Sequence, residues 1–97
     1  MREVILDADG WKTKDDAFDA FFKAVGSPEW HGRNFNALRD SIRGGRINEI
    51  EVPYRIVVQN YHPANDQIRE FVNDFSDLIH EIMARGCPVD IRVEPAK

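Results

Sequence analysis

One cysteine, Cys87, is all the chain contains, so no internal disulfide can form. That excludes a small secreted scaffold stapled by bridges and fits a reducing compartment. Long apolar runs are missing as well: none approaches the roughly 18 residues of a membrane span. The start, MREVILDADG, has neither the apolar segment nor the small-residue cleavage site of a signal peptide. The expected location is therefore the cytoplasm. Positive charge is in short supply, with 13 Lys and Arg against 17 Asp and Glu and a formal net charge of -4. General nucleic-acid binding needs the opposite sign, which makes a neutral or basic protein partner the better match. Internal repeats, low-complexity stretches and linkers are also absent, and 97 residues make a single domain, 1–97.

What is present is the material of a core. Hydrophobic residues are 42% of the chain, and six Phe, two Trp and two Tyr need burial, so a disordered chain is excluded. Glu3 to Ala8, EVILDA, is a continuous apolar run closed by Asp9-Gly10, the pattern of a strand buried on both faces. Thr13-Lys14-Asp15-Asp16 reads as a capping box, in which the Thr13 side chain bonds the amide of Asp16. Phe18, Phe21, Phe22 and Val25 follow at helical spacing, and Gly26 and Pro28 stop that helix. After the loop SPEWHGRN, Asn34 caps a second helix whose inward face is Phe35, Leu38 and Ile42. Gly44-Gly45 ends it, and residues 46–53 read as an extended connection. Tyr54 to Asn60 is a second strand. A helix from Asp66 to Arg85 carries the stripe Ile68, Phe71, Val72, Phe75, Leu78, Ile79 and Ile82, and Pro88 to Val93 gives the third strand. The order β-α-α-β-α-β predicts an α/β fold: a three-stranded parallel sheet with helices packed on it, joined by right-handed crossovers.

Few residues are arranged for catalysis. Asp7-Ala8-Asp9-Gly10 at a strand end resembles the nucleophile motif of haloacid-dehalogenase-type phosphatases, which would make Asp7 the nucleophile and Asp9 the acid-base. That chemistry also needs Mg²⁺, a phosphate-neutralising lysine and later carboxylates, and the chain is too short for that fold. A small phosphatase using Asp7 and Asp9 stays a remote alternative beside an ordinary Asp-Gly turn. An EF-hand fails because Trp11 stands where an oxygen ligand belongs. His31, His62 and His80 have no metal-site spacing, so neither metal nor cofactor is expected. Cys87, read as opening an inner strand, is expected to be structural.

Residues 27–46 are the least ordinary segment. Trp30 and His31 lie between Pro28 and Gly32, followed by a helix whose outward positions are Asn36, Arg39, Asp40 and Arg43. A loop tryptophan can simply cover a sheet edge; it can also anchor a partner, since Trp, Tyr and Arg dominate interface hot spots.

The string Pro28-Glu29-Trp30-His31-Gly32-Arg33-Asn34-Phe35-Asn36-Ala37-Leu38-Arg39-Asp40, with Gly86-Cys87 before the last strand, resembles the barstar family of barnase inhibitors. The resemblance extends in element order over nearly the whole chain. It implies a barstar-like fold and an immunity protein that plugs a ribonuclease active site without catalysis. It implies a partner-binding set of Trp30, His31, Gly32, Asn34, Asn36, Arg39, Asp40, Arg43 and Gly44, with Glu81 on the last helix. Asp40 matches the aspartate that enters the phosphate site. The cognate partner would be a nuclease toxin, with no direct contact to nucleic acid or membrane, and the free protein is expected to be a monomer.

Three positions depart from the family pattern: Asn36 stands for an aspartate, Arg39 for an aromatic and Arg33 for an acid. The connection from Gly44 to Pro53 is also longer than in the family. Residues 27–46 set Glu29 and Asp40 against Arg33, Arg39, Arg43 and Arg46, a surplus of positive charge on a segment meant for a cationic cleft. The last helix, with Asp66, Glu70, Asp74, Asp77 and Glu81 against Arg69 and Arg85, is acidic instead. The expected target is therefore a ribonuclease-type toxin other than barnase, with acidic surface near its site. The alternative is an adaptor or regulator that kept the fold without a nuclease target.

Overall fold

The computed structural model describes residues 2–26, 33–43 and 52–96. Along them run β1 (Arg2–Asp7), α1 (Lys14–Val25), α2 (Phe35–Arg43), β2 (Tyr54–Tyr61), α3 (Asp66–Ala84) and β3 (Val89–Pro95). The strands form one parallel sheet in the order β1-β2-β3. This is the expected α/β fold. The readings at Gly44-Gly45 and over residues 46–51 lie outside the described residues.

Each successive strand is added on the same side of the last. Right-handed crossovers that always step in one direction place their helices on one face of the sheet. The burial of β1 follows from that. Val4 and Leu6 are buried, while Ile5 between them is 45% exposed. The expectation that this strand is covered on both faces is therefore wrong: β1 is an edge strand with one face to solvent. Cys87 likewise precedes an edge strand, not an inner one, and is half-buried.

The open face is closed by charge instead of helix. Register places Glu3, Arg55 and Asp90 in one row, and Ile5, Val57 and Arg92 in the next. Arg55 pairs with Asp90 at 3.2 Å. Arg92 on β3 reaches Glu3 on β1 at 3.5 Å, so its side chain must pass over the central strand. That path explains why Val57 is fully buried on the uncovered side. Long charged side chains bury their aliphatic stems and keep their heads in water.

On the covered face, Tyr54, Ile56, Val58 and Val89 meet the helices. The capping box of α1 forms as expected: Thr13 Oγ1 accepts from the Asp16 amide at 3.3 Å, and Asp16 Oδ2 accepts from the Thr13 amide at 3.1 Å. Caps of this kind contribute about 1 kcal/mol. Gly26 ends the helix at φ 70°, a left-handed conformation that glycine adopts without strain. The seven apolar residues of the α3 stripe are all buried. Asn65 caps α3 by accepting from the Gln67 and Ile68 amides, and its Nδ2 donates to the Lys12 carbonyl, which ties the starts of α1 and α3 together.

Phe71 is the junction of the three helices. Its ring lies 4.9 Å from Phe18 of α1, 5.4 Å from Phe35 of α2 and 5.3 Å from Phe75 of its own helix. Trp11 meets it edge-on at 6.2 Å. Aromatic pairs at these separations add about 0.5–1.5 kcal/mol each beyond burial.

Candidate partner-binding face

Helix α2 is seated on its inner side, and Asn36, Asp40 and Arg43 are exposed on the other. Leu38, Ser41 and Ile42 are buried on its inner side, and Phe35 packs against the core. Asn34 Oδ1 accepts from the Ala37 amide at 2.8 Å, so this asparagine acts as the helix cap and its oxygen is occupied. Arg33, just before it, pairs with Asp19 of α1 at 2.6 Å. The Asp19 carboxylate holds the Arg33 guanidinium charged more firmly than usual. The start of α2 is thus pinned to α1.

Of the residues read as partner-binding, Asn36, Asp40 and Arg43 are exposed on the outer side of α2, and Arg39 is half-buried. Asp40 has no ion-pair or hydrogen-bond partner among the described residues. Trp30, His31, Gly32 and Gly44 lie outside the described residues. Glu81 on α3 is brought beside α2: its Oε2 is 3.3 Å from Arg39 Nη2, and its Oε1 is 3.3 Å from Arg85 Nη2. Both carboxylate oxygens of Glu81 are therefore engaged within the molecule. The Glu81–Arg85 pair is not among the sequence expectations, although its i, i+4 spacing marks such a pair. Beyond the end of α3, burial pushes the Cys87 thiol above its ordinary pKa, and Arg43 is near enough to pull it the other way.

The Asp7-Asp9 motif behaves as a turn. Asp7 Oδ1 accepts from Asn60 Nδ2 at 2.8 Å and from the Asp9 amide at 2.9 Å, and Gly10 follows at φ 93°. Asp9 instead approaches His62 Nε2 at 3.3 Å. Among the described residues no group of three or more His, Cys, Asp or Glu stands close enough to share a metal ion. The Asp7 carboxyl is held below the ordinary range, first by Asn60 and then by the Asp9 amide. Asp16 is held down in the same way, first by the Lys12 amide and then by Thr13.

These two shifts set a pH dependence. A carboxyl whose folded pKa is depressed adds stability above its unfolded value, and that stability is lost as the pH falls through the folded value. The urea midpoint is therefore expected to hold near neutrality and drop below about pH 4. The drop should be smaller in Asp16→Asn than in the parent; equal drops would remove Asp16 as a contributor.

The described residues thus form a small α/β domain whose capped helix α2 carries the exposed carboxylate of Asp40. A model of the Barstar family, described as Barstar (barnase inhibitor), matches residues 1–94, and the chain belongs to that family. It is also similar to a Bacillus subtilis (strain 168) protein named "Putative ribonuclease inhibitor YrdF". The two are 25% identical over 81 residues, which cover 84% of this chain and 85% of the other. Among the described residues no helix is long and apolar enough to cross a membrane.

Proposed function

We propose that this protein binds a ribonuclease-type toxin and blocks its active site with the outer side of α2. Asp40 would enter the subsite that otherwise holds an RNA phosphate. Asn36, Arg39 and Arg43 would flank it, and the family resemblance assigns Trp30, His31, Gly32 and Gly44 to the same contact, although they lie outside the described residues. One observation carries the reading: Asp40 is an exposed carboxylate, unpaired among the described residues, on a helix fixed from behind by Leu38 and Ile42. A ribonuclease must hold phosphates with cationic donors, and such a cleft attracts a rigidly presented carboxylate. Family membership supports an inhibitory role without catalysis. An interface of standard size would bury roughly 1,600 Å² in total.

A second reading, an adaptor without a nuclease target, draws on Glu81. Its engagement by Arg39 and Arg85 leaves less acidic character on this face than a cationic cleft calls for. Immobilised protein exposed to an extract of its own host separates the two. The inhibitor reading expects capture of a ribonuclease whose cleavage of a fluorogenic RNA falls in proportion to added inhibitor. Capture of only non-nuclease proteins would leave the adaptor.

A further inference from the structure

We infer that Arg39 is a specificity-determining residue of this face and that it selects a partner carrying a carboxylate beside its cationic pocket. The inference rests on the inhibitor reading above and narrows the partner that α2 can accept.

On the seam between α2 and α3, Arg39 and Arg85 flank the carboxylate of Glu81, which bonds each with one oxygen. Arg43 lies one turn after Arg39 on α2, and Asp40 is exposed on the outer side of that helix. A guanidinium has five N–H donors, so Arg39 keeps most of its donors after giving one to Glu81. Its side chain is 39% exposed, and a partner can reach them.

The bland account of these arginines is the helix dipole. Carbonyls at a helix C-terminus attract cations, and that suffices for Arg43 in the last turn of α2 and Arg85 at the cap of α3. It does not suffice for Arg39, a full turn earlier, because the effect fades within the last turn. What fixes Arg39 is Glu81, which holds its head on the α3 side of α2 instead of leaving it to roam. The consequence is a carboxylate and a guanidinium at consecutive positions of one seated helix, about 100° apart around its axis. A uniformly cationic cleft satisfies the first and repels the second, and like charges set against each other exclude partners. The favourable partner pairs a cation with Asp40 and an anion with Arg39. A protein surface fits better than RNA, given the net charge of -4 and the lack of aromatic residues among the outward positions of α2.

Barnase itself is the probe, because its active site must be cationic to hold RNA. Its binding is titrated against the parent, Arg39→Gln and Arg39→Glu, with thermal unfolding as a check that each is folded. The expected result is a graded gain, intermediate for Arg39→Gln and about tenfold or more for Arg39→Glu. Unchanged or weaker binding in both variants overturns the inference, and so does no detectable binding throughout, since removing the repulsion then gains nothing. Asp40→Ala in the Arg39→Glu background tests the reading beneath it. A gain that Asp40→Ala leaves intact keeps charge selection by Arg39 and removes the active-site plug. Tight parent binding that depends on Asp40 but not on Arg39 does the reverse. A short RNA oligonucleotide bound by the parent and released by Arg39→Gln would also overturn the inference, in favour of nucleic acid.

Discussion

Asp40→Ala is expected to weaken the complex with the cognate ribonuclease by more than about 2 kcal/mol, roughly 30-fold, which is hot-spot magnitude. The reason is geometric as much as electrostatic. Asp40 stands on a helix whose rotation is fixed by Leu38 and Ile42, and whose start is fixed by the Asn34 cap and the Arg33–Asp19 pair. Little ordering entropy is left to lose on binding, so the charge-assisted contacts are kept nearly whole. Asp15→Ala supplies the control. Asp15 is also an exposed aspartate in a helix, but it lies in the first turn of α1. Its loss should alter net charge identically and affinity by no more than a few tenths of a kcal/mol. Calorimetric titration of the two variants reads the difference; equal losses would mean that only overall charge matters and that α2 is not the contact.

The largest expected effect on stability is Phe71→Ala, at about 3–5 kcal/mol. Phe71 is completely buried and its ring touches residues from α1, α2 and the segment between β1 and α1. Removing it opens a cavity bounded by elements that cannot all move inward together, which is the condition for the upper part of that range. Against a typical total of about 5–15 kcal/mol, such a loss leaves a marginal fold. Phe35 stacks on Phe71, so the seat of α2 should loosen as well. Urea unfolding measures the first effect, and amide exchange in α2 the second. A loss below about 1.5 kcal/mol would show that the aromatic junction collapses and repacks.

Much of this fold is readable in the chain because its signals are local. The Thr13–Asp16 box, the left-handed stop at Gly26 and the Asn34 cap each depend on residues within a few positions of one another. The α3 stripe is likewise a property of spacing. What escaped the sequence depends on partners far along the chain. A run such as Val4-Ile5-Leu6 has the same composition whether one face is covered or two, and only the order of strands decides that Ile5 is exposed. The Glu81–Arg39 pair is not legible in the chain, because the two residues belong to different helices and meet only after folding. Asn36, Asp40 and Arg43 are exposed on the outer side as expected, since helical periodicity fixes them once Leu38 and Ile42 are inward, while Arg39 is half-buried against α3.

The strand order also dictates an itinerary for the nascent chain. Pairing Tyr54 with Val89 closes a loop that α3 shortens by its own helical rise, whereas pairing Arg2 with Tyr54 must wait for the longer excursion through α1 and α2. Loop closure is an entropic toll that grows with the length spanned and is levied before non-local contacts repay it. The span from Tyr54 to Val89 is the shorter, and chain entropy favours closing it over the Arg2–Tyr54 pairing by about a few tenths of a kcal/mol. The aspartate-bearing helix lies within the longer span, yet its contacts with Phe71 and Glu81 come from α3, so its orientation is tied to the shorter, C-terminal half of the sheet.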